Sequence, residues 1–434
     1  NYMTTGELNK MMQDLKLGQF NLKDKERFEF GLADALKNSL KERGIIEAPE
    51  NKEDYAALMQ FIDLRMSNWV KSAISAKSHK VDDNYVIGID KNGQTTSVIM
   101  DKDVGTEQSN SRWSNGLHQF IQIKQGQRLT PESLKAVFVS NTNFFKSYGN
   151  HIFGLTGTLG AKAEQDILKQ IYGVGFCKIP RFKPSQYKQE KGLVLGNHQE
   201  WEDAIEAQVN VKISGDKKRA VLIICENVEK AKILHTRLQI KYPNAKRYAT
   251  SDDPDIHDAQ PGDVIVATNR AGRGTDLKTN DKLENNGGLH VILSYVPDNI
   301  RVEFQAFGRT ARKGLKGSGQ FIVLDPSQRS IEQLKTIRDQ FEHARLSEFV
   351  RLQLPRIEME EILLRGVDPA NNEGGLGCEG FLPLYDRIES NLKKQNWDET
   401  YLQAQLLSLK NRWAFWLDSL DSEINQVHLT GRGA

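Results

Sequence analysis

The sequence predicts an α/β fold: a parallel sheet covered by helices, with a mixed α+β insert before it and a helical region after it. Four short apolar runs predict the sheet, at Ala220–Cys225, Asp263–Ala267, Leu289–Leu293 and Gln320–Leu324. They are rich in β-branched residues and too short for globular helices. Segments with helical periodicity separate them, and that alternation is typical of a parallel sheet covered on both faces.

Length and composition set the bounds of the prediction. The 434 residues are enough for two to four domains, and the net charge of +2 indicates no partner by itself. There is no apolar run of membrane-spanning length, and the three cysteines lie far apart. We therefore expect a protein of the cytoplasm with neither disulfides nor a metal site. The first residues contain neither a basic nor an apolar region, so we expect that they are not a signal peptide, and the start at Asn1 suggests a processed product or an excised segment.

The region before the sheet reads as helices followed by a hairpin. Helical periodicity covers Lys25–Arg43 and Tyr55–Ala76. Strands are then predicted at Tyr85–Ile89 and Thr95–Met100, joined by the turn Lys91–Gln94. Two more helices are expected before the sheet, one near Trp113 and one that Pro131 opens.

The region after the sheet is predicted to be helical. A first helix carries one face made of Ile331, Leu334, Arg338 and Phe341. The last helix has an apolar seam that requires a partner helix. The seam consists of Leu402, Leu406, Leu409, Trp413, Trp416 and Leu420.

Three motifs lie next to predicted strand ends, where open α/β sheets bind ligands. The first is ATNRAGRGTD at 267–276, which directly follows a strand. Gly272 and Gly274 allow the backbone to approach a ligand, whereas Arg273 and Asp276 supply charge and orientation. The alternative interpretation is an ordinary glycine-containing loop.

The second motif is QAFGRTARKG at 305–314. Arg309 and Arg312 are three residues apart, which predicts that they share one helical turn and face the same way. Such a pair can present two guanidinium groups to the phosphates of a nucleotide held in a facing lobe. A solvated basic turn is the alternative. The third motif, Thr156-Gly157-Thr158, either couples two lobes through its hydroxyls or forms a tight strand-to-helix turn.

These motifs, together with GGLHVI at 287–292, resemble in kind and order those of the SecA preprotein translocase ATPases, relatives of the DEAD-box helicases. Flanking segments are also similar to SecA. RWSNGLHQFIQIKQG at 112–126 resembles the stretch that leaves the preprotein cross-linking domain, and the C-terminal segment resembles the long scaffold helix. The resemblance covers residues 75–330 and, more loosely, residues 400–434.

The resemblance implies a domain order and a set of site residues. Residues 1–112 would belong to a cross-linking-like domain and 113–188 to a return segment of the first nucleotide-binding lobe. Residues 189–328 would form the second, RecA-like lobe of a DEAD-box-type motor, and 329–434 a helical scaffold with a wing. Arg309 and Arg312 would be catalytic. The nucleotide would be bound by Gly272, Arg273, Gly274, Asp276 and Gln305.

The sequence departs from the family at several points. It contains neither a phosphate loop ending in Gly-Lys-Ser/Thr nor an Asp-Glu-x-Asp run, which fits a truncated N-terminus. Lys313 stands where the family usually has Gln, and Leu315 where it has Asp. We therefore expect no ATPase activity from this chain alone. ATP or ADP with Mg²⁺ would bind only if the first lobe is supplied.

Three hypotheses for function remain open. The first is the C-terminal portion of a SecA-like motor that translocates or remodels polypeptide, with the missing lobe supplied in trans. The second is a degenerate module that binds a protein partner without motor activity. The third and least favoured is a lobe of an RNA helicase, in which Lys217–Arg219 would touch phosphates. A peripheral membrane contact stays open as well.

Overall fold

The computed structural model describes Asn38 and residues 52–101, 106–131, 140–250, 253–269, 277–367, 378–395 and 398–430. The helix expected at Lys25–Arg43 and the one opened by Pro131 lie outside these residues, apart from the helical Asn38. None of the helices in the described ranges is long and apolar enough to span a membrane.

The first described unit is a helix followed by an antiparallel sheet, as the sequence predicts. It contains α1 (Lys52–Ser78), β1 (Tyr85–Ile89), β2 (Thr95–Asp101), β3 (Thr106–Gln108) and α2 (Leu117–Lys124). In the sheet β2 lies between β1 and β3. The helix expected near Trp113 starts four residues later because Asn115 and Gly116 have positive φ angles and turn the chain before it.

Two short helices follow and contact the C-terminal region. They are α3 (Asn141–Lys146) and α4 (Lys162–Tyr172), joined by a 3-10 turn and an extended segment. The side chain of Asn143 in α3 donates a 3.0 Å hydrogen bond to the carbonyl oxygen of Ile357. This bond fixes α3 against a helix that lies more than two hundred residues further along the chain.

A seven-stranded parallel sheet forms the centre of the chain, which confirms the predicted parallel α/β arrangement. Its order is β7–β9–β6–β11–β12, and β4 and β5 both pair with β12 along successive parts of that strand. The strands of this sheet are β4 (Gln186–Gln189), β5 (Leu193–Leu195), β6 (Ala220–Ile224), β7 (Lys246–Tyr248), β9 (Val264–Ala267), β11 (Leu289–Leu293) and β12 (Lys316–Leu324). A separate parallel pair consists of β8 (Asp258–Ala259) and β10 (Lys278–Thr279).

Helices cover both faces of this sheet. They are α5 (His198–Ile213), α6 (Val228–Lys241), α7 (Asp281–Asn285) and α8 (Ile300–Phe307). Each begins after an asparagine whose side chain accepts a backbone hydrogen bond from the first turn, namely Asn197, Asn227, Asn280 and Asn299.

Alternate residues of the central strands point into two apolar cores. Val221 and Ile223 face the core that contains Trp201, whereas Leu222 and Ile224 face the other. Each of these side chains is fully or almost fully buried, and burying one stabilises the fold by about 1.5–3 kcal/mol. This two-sided burial explains why the strands read as uninterrupted apolar runs.

The antiparallel unit is docked on this domain. Val86 and Met100 belong to the same buried cluster as Val228 at the start of α6. Lys232 of α6 also forms a 2.6 Å ion pair with Asp82. Apolar and charged contacts therefore join the antiparallel unit to the parallel sheet domain.

The C-terminal region is helical, as predicted. It contains α9 (Ile331–Glu348), a π-helical turn (Phe349–Gln353), α10 (Leu354–Arg365), the strand pair β13 (Gly366–Val367) and β14 (Cys378–Glu379), α11 (Phe381–Lys393) and α12 (Glu399–Thr430).

The apolar seam of α12 packs in part on a helix of the same chain, but its member Trp416 is 45% exposed and the side chain of Leu420 lies outside the described residues. Leu402 and Leu406 are buried, and the ring of Trp413 stacks on that of Phe381 in α11 at 4.5 Å. On α9 the predicted shared face is wrong at one position. Phe341 is 72% exposed, because it lies beyond the turn at which α9 packs on the sheet domain through Ile331 and Arg338.

Candidate functional site

The arginine motif lies at the amino edge of the parallel sheet. After β11 the chain returns along α8, so the residues that precede β12 reach the edge at which β11 begins. The hydroxyl of Thr310 donates a 2.6 Å hydrogen bond to the carbonyl oxygen of Leu289, the first residue of β11. The motif therefore lies next to a strand end, but at the amino edge, whereas open α/β sheets generally bind ligands at the carboxyl ends of their strands.

Arg309 and Arg312 do not share a helical turn, contrary to prediction. Helix α8 ends at Phe307, and the following turn contains Ala311 and Lys313 with φ angles of 52° and 55°. Ala311 lies between the two arginines and reverses the chain direction there, and each left-handed residue costs about 1–2 kcal/mol. Consequently Arg309 is only 8% exposed, whereas Arg312 is exposed and donates a 2.9 Å hydrogen bond from Nε to the carbonyl oxygen of Gly308.

The structure brings the second and third sequence motifs together. Nε2 of Gln305, on the last turn of α8, donates a 3.3 Å hydrogen bond to Oγ1 of Thr158. The turn that carries Thr158 is ordered locally, since its backbone N–H donates a 3.1 Å bond to Oγ1 of Thr156. Arg309 therefore follows a helix that touches the Thr-Gly-Thr turn directly.

A cleft of about 1080 Å³ opens between these segments. Its walls are the Thr-Gly-Thr turn, the linker 181–185 with Tyr187 of β4, and residues 304–314. Five lining residues are cationic and none of the described lining residues is Asp or Glu. The cations are Arg181, Lys183, Arg309, Arg312 and Lys313.

This set of side chains fits phosphate oxygens. Guanidinium groups bind phosphates through paired N–H donors, and ammonium groups act as point charges. The described lining offers no carboxylate for Mg²⁺, which prefers oxygen ligands. More widely, the described residues contain no group of three or more His, Cys, Asp and Glu side chains placed to hold a metal ion.

A buried carboxylate holds the two sides of the cleft together. Glu164, at the start of α4, is 7% exposed and accepts a 2.9 Å ion pair from Nε of Arg301. It also accepts hydrogen bonds from the backbone of Ala161 at 2.6 Å and from the side chain of Asn299 at 3.4 Å. Arg301 and Asn299 stand at the start of α8, so Glu164 fixes α8 against α4.

A second buried carboxylate joins α8 to α9. Glu303 forms ion pairs with Arg338 at 2.5 Å and with Lys335 at 2.6 Å. Burial favours the neutral form of Arg338, but hydrogen bonds to Asp339 and Glu303 outweigh it and raise the pKa of the guanidinium. The helix that leads into the arginine turn is thereby attached to the first helix of the C-terminal region.

Only the start of the glycine-rich motif, residues 267–269, belongs to the described part of the chain. Gly272, Arg273, Gly274 and Asp276 lie outside the described residues. The preceding Thr268 is buried after β9 and donates a 3.3 Å hydrogen bond to the carbonyl oxygen of Ala249. That start of the motif lies at the carboxyl edge of the sheet, where the sequence predicts it.

Sequence analysis did not identify Arg181 and Lys183 as lining residues. The available signal was local, because both cations lie between Pro180 and Pro184 in the linker before β4, where Phe182 and Lys183 form a bend. The position of the two cations opposite the arginine turn depends on the pairing of β4 with β12, which is a long-range contact.

The fold defines a parallel α/β protein with a docked antiparallel unit, a helical extension and a cation-lined cleft. Comparison with known proteins shows which family the chain is similar to. Residues 6–122 match the family model described as the SecA preprotein cross-linking domain. The chain is 30% identical over 323 residues to the protein translocase subunit SecA of Francisella tularensis subsp. novicida, a match covering 66% of this chain and 34% of the relative.

The same subunit of a Sulfurovum species is 33% identical over 231 residues, covering 52% of this chain and 26% of the relative. SecA of Francisella philomiragia is 29% identical over 323 residues. The chain is therefore a divergent relative of SecA, which confirms the resemblance inferred from its motifs. It spans about a third of the length of the first of these relatives.

Proposed function

We propose that this chain is the C-terminal portion of a SecA-like, ATP-driven motor that moves or remodels polypeptide. In this proposal the parallel sheet domain is the second, RecA-like lobe of a DEAD-box-type motor. The observation that carries the proposal is the contact of Gln305 with Thr158 beside Arg309 and Arg312. It places two motifs that resemble those of SecA against one phosphate-compatible cleft.

The proposed role of the arginines is electrostatic. A facing first lobe would hold the nucleotide, and Arg309 and Arg312 would stabilise the charge that develops on the transferred phosphoryl group. Arg309 is buried and so held in a defined position, whereas Arg312 is exposed and has room to approach a ligand. Gln305 and the 272–276 segment, with Gly272, Arg273, Gly274 and Asp276, would complete the nucleotide contacts.

ATP would supply the chemistry only when the first lobe also provides a phosphate loop, Mg²⁺ ligands and a group that orients water. This chain contributes cations and no such carboxylate in the described cleft. We therefore expect negligible ATP turnover from the chain alone.

The polypeptide contact is assigned to the antiparallel unit, which lies in the part of the chain similar to the preprotein cross-linking domain. Movement at the cleft would reach this unit through α6, by way of the Asp82–Lys232 ion pair. It would reach the C-terminal helices through Glu303 and Arg338. We place the protein in the cytoplasm, with peripheral contact to a membrane as part of the proposal.

The test supplies the phosphate-loop lobe of a SecA relative in trans and measures ATP turnover and nucleotide-dependent closure. Turnover is expected only with both components and should fall about a thousandfold in Arg309→Ala and Arg312→Ala. Lys217→Ala is the matched control, because this exposed cation lies outside the cleft. Turnover by the chain alone that survives Arg309→Ala would refute the proposed site.

Two alternatives have distinct outcomes in the same assay. A degenerate protein-binding module is favoured by Lys313 and Leu315, and it predicts polypeptide binding without closure or turnover. An RNA helicase lobe is the least favoured, and it predicts RNA binding that weakens steeply with salt concentration.

A further inference from the structure

We infer that the linker before β4 is part of the cleft, so that Arg181 and Lys183 join the arginine turn to form a binding site for a polyphosphate anion. The inference rests on the proposed function for the identity of the cleft. It goes further by assigning two binding residues that lie outside the recognised motifs. It also predicts that this chain binds the anion without a first lobe, which replaces the sequence-based expectation that ATP binds only when that lobe is supplied.

Contacts fix Lys183 against the arginine turn. A Cβ atom placed on Gly314 would lie 2.7 Å from Cβ of Lys183, so the lysine stem lies directly on the glycine backbone. Nε2 of Gln186 donates a 2.6 Å hydrogen bond to the carbonyl oxygen of Gly314. Gln186 is also the partner of Lys316 in the β4–β12 ladder, and this register holds the linker beside the turn.

The charge of the cleft has one sign. Its described lining contains five cations and no carboxylate, although the chain as a whole has nearly equal numbers of acidic and basic residues. A partly enclosed cleft lined by positive charges alone raises the local concentration of anions. The charge is therefore local to this cleft, and a compact ligand with several negative charges matches it best.

The backbone of the turn favours the same ligand. Ala311 and Lys313 have positive φ angles, and Arg312 between them does not. Alternation of this kind forms a concavity of backbone N–H groups that binds anions. Two non-glycine residues in the left-handed region within three positions are a costly arrangement, which an anion-binding role explains.

The ligand class is a chain of linked phosphates, in either of two forms. Inorganic tripolyphosphate and a nucleoside triphosphate share this chemistry. Phe182, between the two linker cations, is 98% exposed and offers a ring face on which a base can stack. The two forms are separated by comparing their affinities.

The experiment is calorimetric titration of the full 434-residue chain with sodium tripolyphosphate, ATP and adenosine. Tripolyphosphate and ATP should bind and adenosine should not. Lys183→Gln and Arg181→Gln should each weaken tripolyphosphate binding about tenfold, as expected for loss of one charged contact. Lys217→Gln, an exposed cation outside the cleft, should bind as the parent chain does.

A rescue variant and a comparison of affinities distinguish the possible explanations of this result. Lys183→Arg should restore binding, which separates loss of charge from misfolding, and thermal melts should be unchanged in all variants. Equal affinities for ATP and tripolyphosphate would identify the phosphate chain as the ligand, and tighter ATP binding would identify the nucleoside triphosphate. No tripolyphosphate binding, or binding unaffected by both linker variants, would overturn the inference.

An RNA oligonucleotide that binds more tightly per phosphate than tripolyphosphate would also overturn it. The outcome is separable from that of the proposed function. Tripolyphosphate binding that depends on Lys183, without closure when the first lobe is added, would leave the inference standing and refute the motor. ATP turnover with the added first lobe, but no tripolyphosphate binding to the chain alone, would refute the inference and leave the motor proposal standing.

Discussion

Gln305 donates a 3.3 Å hydrogen bond to Thr158 across a separation of 147 residues. The two residues belong to different sequence motifs, and the bond closes one side of the cationic cleft. Sequence analysis named Gln305 as a nucleotide contact and the Thr-Gly-Thr turn as a coupling element. The structure adds that the two segments are in contact, so we expect a substitution in one segment to alter the stability or position of the other.

This contact can be measured as a coupling energy. Thr158→Val and Gln305→Leu should each lower the free energy of unfolding by about 1 kcal/mol or less, because a neutral side-chain hydrogen bond has a small net effect. The double variant should be less destabilised than the sum by about 0.5 kcal/mol. Urea unfolding of the four proteins measures this, and strict additivity would show that the bond is not formed in solution.

The buried carboxylate Glu303 should be important for stability. Glu303→Ala leaves Arg338, which is 7% exposed, without its buried partner and should cost about 3 kcal/mol. Arg345→Ala is the matched control, since it breaks the Arg345–Glu342 pair, in which the arginine side chain is 62% exposed. The control should cost less than about 1 kcal/mol. Equal losses in urea unfolding would contradict the assignment.

Buried His290 predicts a loss of stability in acid. Burial, helped by Lys212 and opposed by Glu190, lowers the pKa of His290 to about 3, and its Nδ1 lies 2.7 Å from Oγ of Ser318. The unfolded chain binds a proton near pH 6.5 and the folded chain does not, so stability falls as pH decreases below 6.5. The contribution lost at pH 5 is about 2 kcal/mol.

His290→Gln should remove that part of the dependence. Its free energy of unfolding should be lower at neutral pH but should fall less between pH 7 and pH 5 than that of the parent chain. Urea midpoints at the two pH values measure the difference. An unchanged slope would mean that His290 is not the responsible group.

Gly314 should not tolerate a side chain. Its φ angle is 79°, and a Cβ atom would meet that of Lys183 at 2.7 Å. Gly314→Ala should therefore cost about 1–2 kcal/mol and displace the linker. Gly215→Ala is the matched control, because its φ angle is 77° and nothing lies within 4 Å of its Cβ position, so its effect should be limited to backbone strain of about 1 kcal/mol. Similar thermal shifts for both variants would argue against the packing of Lys183 on the turn.

The central strands could be predicted because burial on both faces selects mostly apolar residues, with buried His290 of β11 as an exception. The same logic could not find β4, whose residues Gln186–Gln189 are polar, or β7, Lys246–Tyr248. These strands lie at the edges of the sheet, and their pairing is set by neighbours far away in sequence. Edge strands therefore carry little of the apolar signal on which strand prediction depends.

The candidate site was predictable in composition but not in geometry. Arg309 and Arg312 were identified from their spacing, but the spacing assumed a helix that ends before them. Alanine rarely adopts a positive φ angle, so nothing in the sequence indicated the reversal at Ala311. The linker cations became visible only when β4 was paired with β12.

The pairing of β4 with β12 also determines how the cleft can deform. The linker leads directly into β4 and the arginine turn leads directly into β12, and the two strands pair from Gln186 with Lys316 onward. The linker wall and the arginine-turn wall therefore continue into two paired strands, and the hydrogen bonds between these strands oppose sliding of one wall along the other. On the opposite side, Glu164 fixes α4 against α8, the helix that leads into the arginine turn. A ligand in the cleft would therefore meet two walls that the fold already holds at a fixed spacing.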